Sequence, residues 1–180
     1  MDINPDLARE LGFPKLKYAY VERERRWLCA RLPDVEVISA DAITDLYIDG
    51  SRLRLREARP LDGGPVMRRL GRKGDVDAAH RLITSIYLSE AEFALLAGLP
   101  GRRIEKVRHR LAPINGRTFG VDVFSGALQG LVLSEKEFDS DTEMAACPHP
   151  PFALREVTDD PRYAGGWLVA HGLPPAEGGL

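Results

Sequence analysis

The chain has 180 residues, a normal length for one domain, and its composition of 44% hydrophobic and 29% charged residues is typical of globular proteins. The formal net charge of −2 argues against a general nucleic-acid-binding protein, because such proteins usually carry a strong positive excess. No apolar run is long enough to span a membrane and residues 1–5 lack the features of a signal peptide, so the sequence predicts a cytoplasmic protein with neither membrane nor nucleic-acid partners.

The sequence predicts many short strands and a few helices, which together indicate an α+β domain. Strands are expected at residues 17–28, as two segments within 44–57, and at 66–73, 80–88, 103–110, 118–124 and 129–138. Helices are expected from Asn4 to about Gly12, from Ser89 to Leu96, from Ser140 to Pro148 and from Asp160 to about Ala170. We expect one domain over residues 1–180, with an N-terminal extension at 1–16 and a flexible tail at 173–180.

Two turn signals divide neighbouring strands. Asp49-Gly50-Ser51 separates the two extended segments of residues 44–57. Asn115-Gly116 is a strong hairpin signal, because both residue types tolerate positive φ angles. The strands on either side of each turn are therefore expected to pair as antiparallel neighbours.

Three stretches repeat a charge at every second residue, the spacing at which side chains of a strand share one face. They are Glu22-x-Glu24-x-Arg26, Arg52-x-Arg54-x-Arg56 and Glu135-x-Glu137. Further charges within predicted strands are Lys73, Arg81, Lys106, Arg108 and Asp122, and the opposite parity carries apolar residues such as Leu53 and Leu55. If the sheet closes on itself, the charged rows can line its interior. Because buried unpaired charge is costly, such an interior must hold water, metal or a charged ligand.

The two kinds of charge suit two parts of one ligand. Pairs of carboxylates suit hard divalent cations, which take oxygen ligands. Rows of Arg and Lys suit phosphate oxygens, which Arg binds in a bidentate manner. The pattern therefore indicates a site for a polyphosphate chain together with its metal ions.

The order of these segments resembles the CYTH domain, the fold of the triphosphate tunnel metalloenzymes. Residues 21–28 are similar to the signature strand Glu-x-Glu-x-Lys of that family, and residues 53–56 to its Leu-Arg-x-Arg segment. The remaining similar segments are Asp45-Leu46-Tyr47 before the Leu-Arg-x-Arg segment, the Lys-x-Arg strand at 101–108, the Asp strand at 119–126, the closing Glu-x-Glu strand at 133–138 and a C-terminal segment at 156–163. The resemblance covers most of the chain, from about Tyr18 to Gly172.

The resemblance implies a closed antiparallel eight-stranded β-barrel with helices packed outside, and a single CYTH-like domain. It implies hydrolysis of inorganic triphosphate or another triphosphate-containing small molecule with Mg²⁺ or Mn²⁺, and it leaves the oligomeric state open, with a homodimer as one outcome. The implied metal ligands are Glu22, Glu24, Glu135 and Glu137. The implied substrate-binding residues are Tyr47, Arg52, Arg54, Arg56, Lys73, Arg81, Lys106 and Arg108. The implied catalytic residues are Arg26, Lys73 and Asp122, with Asp122 orienting the metal cluster or its water.

Some of these assignments stay open at this stage. Tyr47 suits either a phosphate ligand or a packing residue at the barrel mouth. Arg52 suits either a phosphate ligand or a surface ion pair. Arg69 and Arg72 are expected on the surface.

The chain also departs from the family pattern. Arg26 stands where the signature strand has Lys, and an Arg keeps the charge but does not lose its proton. The strand after Arg81 lacks the usual acidic residues, with Ile83 and Ser85 at alternate positions. Alternative interpretations are therefore a non-catalytic module that binds polyphosphate or nucleotide, a class IV adenylyl cyclase-like enzyme, or a structural protein whose charged rows face solvent.

Overall fold

A computed structural model describes residues 3–175 and contains a closed barrel of eight antiparallel strands. The strands are β1 (Tyr20–Leu28), β2 (Val37–Ile48), β3 (Leu53–Pro60), β4 (Met67–Asp75), β5 (His80–Tyr87), β6 (Gly101–Leu111), β7 (Gly120–Phe124) and β8 (Val132–Glu137). Neighbours follow the order β5-β4-β3-β2-β6-β7-β8-β1, and pairing of β1 with β5 closes the ring. A two-residue strand, β9 (Arg155–Glu156), adds a short edge to the end of β1. The predicted eight-stranded barrel is confirmed.

Four short α-helices lie outside the barrel wall or across its end. They are α1 (Pro5–Glu10), α2 (Glu90–Ala97), α3 (Asp141–Ala145) and α4 (Gly165–His171), and 3₁₀ turns occupy Leu16–Tyr18, Gly126–Leu128 and Pro161–Tyr163. The Ser89 hydroxyl and the Glu92 carboxylate form the predicted capping box of α2. None of the helices within residues 3–175 is long and apolar enough to cross a membrane.

The predicted elements are present, with differences at their ends. β2 begins at Val37 rather than near residue 44, because its first half pairs with β6 as far as Leu111. The last predicted helix is divided, because Ala164 has an extended backbone between the 3₁₀ turn and α4. The two-residue β9 carries no sequence pattern and was not predicted. Residues 176–180 of the expected flexible tail lie outside the described part of the chain.

The Asn115-Gly116 turn forms as predicted. Both residues have positive φ angles, 51° and 75°, which is the geometry of a two-residue type I′ turn. An isolated bridge between Ile114 and Arg117 closes the turn. The turn leads from β6 into β7, and it helps to set the antiparallel pairing of these two strands.

The apolar residues of the strands pack mostly outward, which leaves the charged rows facing the interior. One cluster, around Trp27, Phe119 and Val121, lies between the strands and the segment after β8. Another packs Ala8 and Phe13 of the N-terminal segment on Leu82 of β5. The burial of these outer faces stabilises a barrel whose inner face is largely polar.

One end of the barrel is apolar on the inside as well. Here Ile104, Phe124 and Leu133 meet Tyr163 and Leu168 of the C-terminal segment. These contacts place α4 across that end of the interior.

Candidate active site

The barrel encloses a cavity of about 490 Å³ with a strongly ionic wall. Among the described residues, nine cationic and six acidic side chains line it, so that positive charge is in excess. The predicted site residues that lie on this wall are Glu22, Glu24, Arg26, Tyr47, Arg52, Arg54, Arg56, Lys73, Arg81, Lys106, Arg108, Glu135 and Glu137. Asp122 is the exception, because it is only 1% exposed and lies behind the wall.

Three carboxylates converge on one point of the cavity. Glu22 and Glu24 lie on β1, and Glu137 pairs with Glu24 across the β1–β8 ladder. One oxygen from each of the three lies within 4.8 Å of the others. We call Glu22, Glu24 and Glu137 the carboxylate trio. Its hard oxygen donors match the ligands that Mg²⁺ and Mn²⁺ prefer.

Within the trio, burial disfavours the ionised form of Glu24. Burial raises the pKa of Glu24, and repulsion from Glu135 and Glu22 raises it further, while Lys73 and Arg26 oppose the change. The ionised form of Glu24 is therefore incompletely compensated in the protein alone. A divalent cation fits the trio because it would supply the missing positive charge to oxygen ligands that are already close together.

Glu135 stands apart from the trio although it belongs to the same strand as Glu137. Its carboxylate accepts a short hydrogen bond from the Arg108 guanidinium. Burial alone would raise the pKa of Glu135, but Arg108 and Lys106 outweigh burial and hold it well below its usual range. Glu135 is thus neutralised by protein cations, and its assignment as a metal ligand stays a prediction.

Two cations of the wall contact the trio directly. Lys73 Nζ donates a 2.6 Å hydrogen bond to Glu22 Oε2. Arg81 Nη1 lies 3.2 Å from Glu24 Oε1, and its Nε donates to Asp75 Oδ1 at 3.0 Å. Both cations are therefore in place to contact a phosphate bound beside the trio.

The arginines of β3 are held by a buried aspartate on the neighbouring strand. Asp45 on β2 is 2% exposed and accepts two hydrogen bonds from Arg56, at 2.7 and 2.6 Å. Arg54 Nε lies 3.7 Å from the same carboxylate. Burial alone would raise the pKa of Asp45, but Arg56 and Arg54 hold it well below its usual range. Asp45 therefore fixes the directions of two guanidinium groups on the cavity wall.

Asp122 does the same for the cations of β6. It accepts hydrogen bonds from Arg108 Nε and Nη2, both at 2.7 Å, and a short one from Lys106. It contacts none of the carboxylate trio in the described hydrogen bonds and ion pairs. The geometry makes Asp122 a positioning residue for Lys106 and Arg108, rather than the residue that orients the metal cluster as expected from the sequence.

Arg26, at the position of the signature Lys, is buried at the wall. Its Nη1 donates to the Tyr163 carbonyl oxygen at 3.0 Å. Its Nε lies 3.3 Å from Glu24 Oε1, without the geometry of a hydrogen bond. Arg26 thus joins the trio to the C-terminal segment.

The two residues left open by the sequence lie near the ends of their strands. Tyr47 lies on the wall, and its hydroxyl oxygen approaches the backbone of Gly165 at the start of α4. Arg52 precedes β3, is exposed, and donates to the Leu11 carbonyl oxygen at 3.4 Å. Tyr47 therefore takes part in packing against α4, while Arg52 has a backbone partner instead of a carboxylate.

The contact between Tyr47 and Gly165 gives a test of how α4 is held. A methyl group at Gly165 would lie 2.2 Å from the Tyr47 hydroxyl oxygen, whereas the neighbouring Gly166 has open space. We expect Gly165→Ala to lower the free energy of unfolding by about 1–3 kcal/mol through overpacking. Gly166→Ala, the matched control, is expected to leave stability unchanged or to increase it, since Ala favours helix. Urea unfolding measures both, and equal stabilities in the two variants would contradict this packing.

Three wall residues were not assigned to the site from the sequence. Asp45 lies two residues before Tyr47, and Arg69 lies four residues before Lys73. Because residues at even spacing in a strand share one face, the sequence could have predicted that both Asp45 and Arg69 face the cavity. Arg69 had been expected on the surface, which is wrong, because it lines the cavity. Arg72, on the opposite face of β4, does lie outside and donates to the Leu11 carbonyl oxygen at 2.8 Å. Asp75 has the same parity as Lys73, but it lies two residues beyond the predicted end of this strand, whereas β4 continues to Asp75 and brings it to Arg81.

Two sequence relatives of this chain are both inorganic triphosphatases. No protein-family model matches the chain. An inorganic triphosphatase of Nitrosomonas europaea is 34% identical over 147 residues, which is 79% of this chain and 92% of that protein. An inorganic triphosphatase of Acetivibrio thermocellus is 42% identical over 66 residues, 37% of this chain and 40% of that one.

Solved structures agree with these sequence relatives. The crystal structure of an inorganic triphosphatase matches with a TM-score of 0.56 and 30% identity, over 82% of this chain and 93% of the other. A protein from Pyrococcus horikoshii matches with a TM-score of 0.51 and 20% identity, over 69% and 82% of the two chains, which bears on the fold alone. The closed ionic barrel and the relative that matches most of its length show that this chain belongs to the CYTH family, the triphosphate tunnel metalloenzymes.

Proposed function

We propose that this protein hydrolyses inorganic triphosphate with the help of a divalent cation, Mg²⁺ or Mn²⁺. The single observation that carries the proposal is the carboxylate trio, which lies within one closed cavity beside an excess of Arg and Lys. The names of the two sequence relatives support the same reaction. A metal–triphosphate complex needs both kinds of charge within a few ångströms, and the cavity provides them.

The chain's own residues have separate roles in this proposal. Glu22, Glu24 and Glu137 hold the cation, and Lys73 and Arg81 bridge between the trio and the phosphate chain. The remaining cations that would bind phosphate oxygens are Arg54, Arg56, Lys106 and Arg108, with Arg52 at the strand end. Fixed guanidinium and ammonium groups stabilise the charge that spreads over the phosphoryl oxygens in the transition state.

The bound cation and the side chains of the cavity wall would make different contributions to the reaction. When bound, a divalent cation polarises phosphoryl oxygens and lowers the pKa of an attacking water. Asp45 and Asp122 keep the phosphate-binding cations in fixed directions before substrate arrives. Arg26 contributes charge but no proton transfer, because a guanidinium stays protonated. Arg108 donates hydrogen bonds to Glu135 as well as to Asp122. Whether Glu135 also binds the metal is therefore tested separately from the trio.

A non-catalytic polyphosphate-binding module is the second candidate. This candidate is favoured by the strand that follows Arg81, which usually carries acidic residues in the family. Here that strand has Ile83, a buried apolar residue that pairs in register with Lys73 of β4. Without a carboxylate there, one group that could position water is missing. Adenylyl cyclase activity, a homodimer and a cytoplasmic location stay predictions.

Phosphate release from tripolyphosphate is the direct experiment. We expect turnover with Mg²⁺ or Mn²⁺ and none with EDTA, from neutral to strongly alkaline pH. Binding of tripolyphosphate without any release of phosphate would favour the non-catalytic module. Formation of cyclic AMP from ATP, measured by chromatography, would instead favour the cyclase.

Cation binding is expected to depend on pH through Glu24. Because burial and neighbouring carboxylates raise the pKa of Glu24 above the ordinary glutamate value of 4.5, a cation must displace a proton at any pH below the raised pKa. Mn²⁺ affinity should therefore increase as the pH rises from about 4.5 through the raised pKa, and then level off. Calorimetry in two buffers of different ionisation enthalpy measures both the affinity and the protons released. An affinity that is independent of pH across this range would contradict the role of Glu24 as a ligand.

A further inference from the structure

Helix α2 carries apolar residues on both its inner and its outer side. Phe93 is half-buried, and the Arg68 guanidinium lies over its ring, so this side of the helix faces the barrel. Leu95 lies on the opposite side and is 81% exposed, the highest value for a large hydrophobic side chain within residues 3–175. A surface helix normally presents polar residues to solvent, and a helix that is apolar on both sides is normally covered on both.

The outer side of α2 has a shape that can pack on a copy of itself. Ala91 and Leu95 are one turn apart, and Gly98 follows on the same side, so that Leu95 stands between two small residues. A side chain added at Gly98 would meet open space, which shows that nothing in the described part of the chain covers this end. When two such helices pack antiparallel about a two-fold axis, each Leu95 fits beside the small residues of the other copy.

The chain on either side of α2 extends this apolar surface. Ile86 and Tyr87, at the end of β5, are 56% and 76% exposed, and Leu99 follows the helix with 40%. A specific interface usually buries at least about 1,200 Å² in total, which is more than a helix about 12 Å long provides. The flanking residues supply additional apolar surface next to the helix.

The charges at the two ends of α2 favour one orientation of the second copy. Glu90 and Glu92 lie in the first turn, and the Arg103 guanidinium donates to the Ala97 carbonyl oxygen in the last turn at 3.1 Å. Glu90 and Arg103 are both exposed, and neither makes an ion pair within residues 3–175. In an antiparallel pair, the acidic first turn of each copy faces the basic last turn of the other, and two-fold symmetry repeats this contact.

We propose that α2 is the centre of a homodimer interface, in which a second copy of this chain packs antiparallel on the outer side of the helix. The two Leu95 side chains lie near the axis, and Glu90 of each copy faces Arg103 of the other. A second copy supplies both the acidic and the basic group that this surface needs, whereas the acidic first turn would repel an anionic lipid surface. The dimer is independent of the proposed hydrolysis, because no described residue of α2 lines the barrel cavity.

Sedimentation velocity of the full chain over a concentration series tests the interface. We expect the wild type to dimerise in the micromolar range. Leu95→Glu should raise the dissociation constant at least about 100-fold, because it places two like charges near the axis in an apolar contact. Leu154→Glu is the matched control: Leu154 is 62% exposed, lies beside Leu28 of β1 and should leave the dissociation constant unchanged.

Charge reversal tests the antiparallel orientation. Glu90→Arg and Arg103→Glu should each weaken the dimer at least about tenfold, because each creates a contact between like charges that symmetry repeats. The double variant restores opposite charges across the interface and should recover most of the wild-type affinity. Thermal unfolding of every variant at a concentration where all are monomeric shows separately whether each one is folded.

Three results would overturn the inference. A wild type that is monomeric throughout the micromolar range would leave this surface to a different protein. A dimer that Leu95→Glu does not weaken would use another face of the molecule. A double charge variant that binds no better than the single variants would contradict the antiparallel contact between Glu90 and Arg103. Phosphate release is a separate readout, and its absence would bear on the proposed hydrolysis and not on the dimer.

Discussion

Glu24→Gln is expected to lower metal-dependent phosphate release by at least about 100-fold while leaving the barrel without metal as stable as the wild type or more stable. The substitution keeps the shape of the side chain but removes one charged ligand of the trio. Because the raised pKa of Glu24 shows that its ionised form is disfavoured in the barrel, a neutral amide relieves repulsion from Glu22 and Glu135. Phosphate release and thermal unfolding in EDTA measure the two effects.

The stability effect should have a characteristic pH dependence. A carboxyl group whose pKa is raised by folding, as that of Glu24 is, lowers stability as the pH rises from the ordinary glutamate pKa of 4.5 through the raised pKa. That decline should be present in the wild type and reduced in Glu24→Gln. Glu105→Gln, at an exposed position of β6, is the matched control and should change neither activity nor stability. Full metal-dependent turnover in Glu24→Gln would remove Glu24 from the site.

Asp45→Asn should have the opposite effect on stability, with a loss of about 3–5 kcal/mol in the free energy of unfolding at neutral pH. Asp45 is buried and neutralises Arg56, and the substitution leaves that guanidinium without a negative partner. The pKa of Asp45 is depressed, so its stabilising contribution is fully present above the ordinary aspartate pKa of 3.8 and is lost as the pH falls towards the depressed pKa of the folded protein. Urea unfolding should therefore show a difference between wild type and variant that shrinks in acid.

Asp75→Asn is the control for this experiment. Asp75 also bonds to an arginine of the wall, Arg81, but its side chain is 78% exposed. Water screens an exposed ion pair, so the loss should be below about 1 kcal/mol. Equal losses in the two variants would mean that burial of the Asp45–Arg56 pair is not what stabilises it.

The charged faces of the strands could be predicted because the period of the charges is a local property, whereas the closed barrel was predicted from the resemblance to the CYTH family. The alternation through Glu22, Glu24 and Arg26 survives in the structure as an inward-facing row on β1, and the hairpin at Asn115-Gly116 forms because its φ angles are fixed by residue type. Such features depend on strand geometry and on turn chemistry, both of which act within a few residues.

The partners of each charge could not be predicted in this way. Asp122 was placed beside the metal cluster, but the register of β6 against β7 sets it under Lys106 and Arg108 instead. Glu135 and Glu137 share one face of β8, yet Arg108 takes Glu135, and Glu137 alone joins the trio. These outcomes depend on register between strands that are distant in the sequence, and parity alone does not specify register.

The seam that closes the barrel has a consequence for folding. β1 pairs with β5 and with β8, so both of its edges are hydrogen-bonded only when residues 80–87 and 132–137 have reached it. Glu22 and Glu24 come from β1 and Glu137 from β8, which means that the trio exists only when this long-range pairing is formed. Any cation that the trio holds therefore links β1 to β8, and its binding stabilises the closed barrel by mass action.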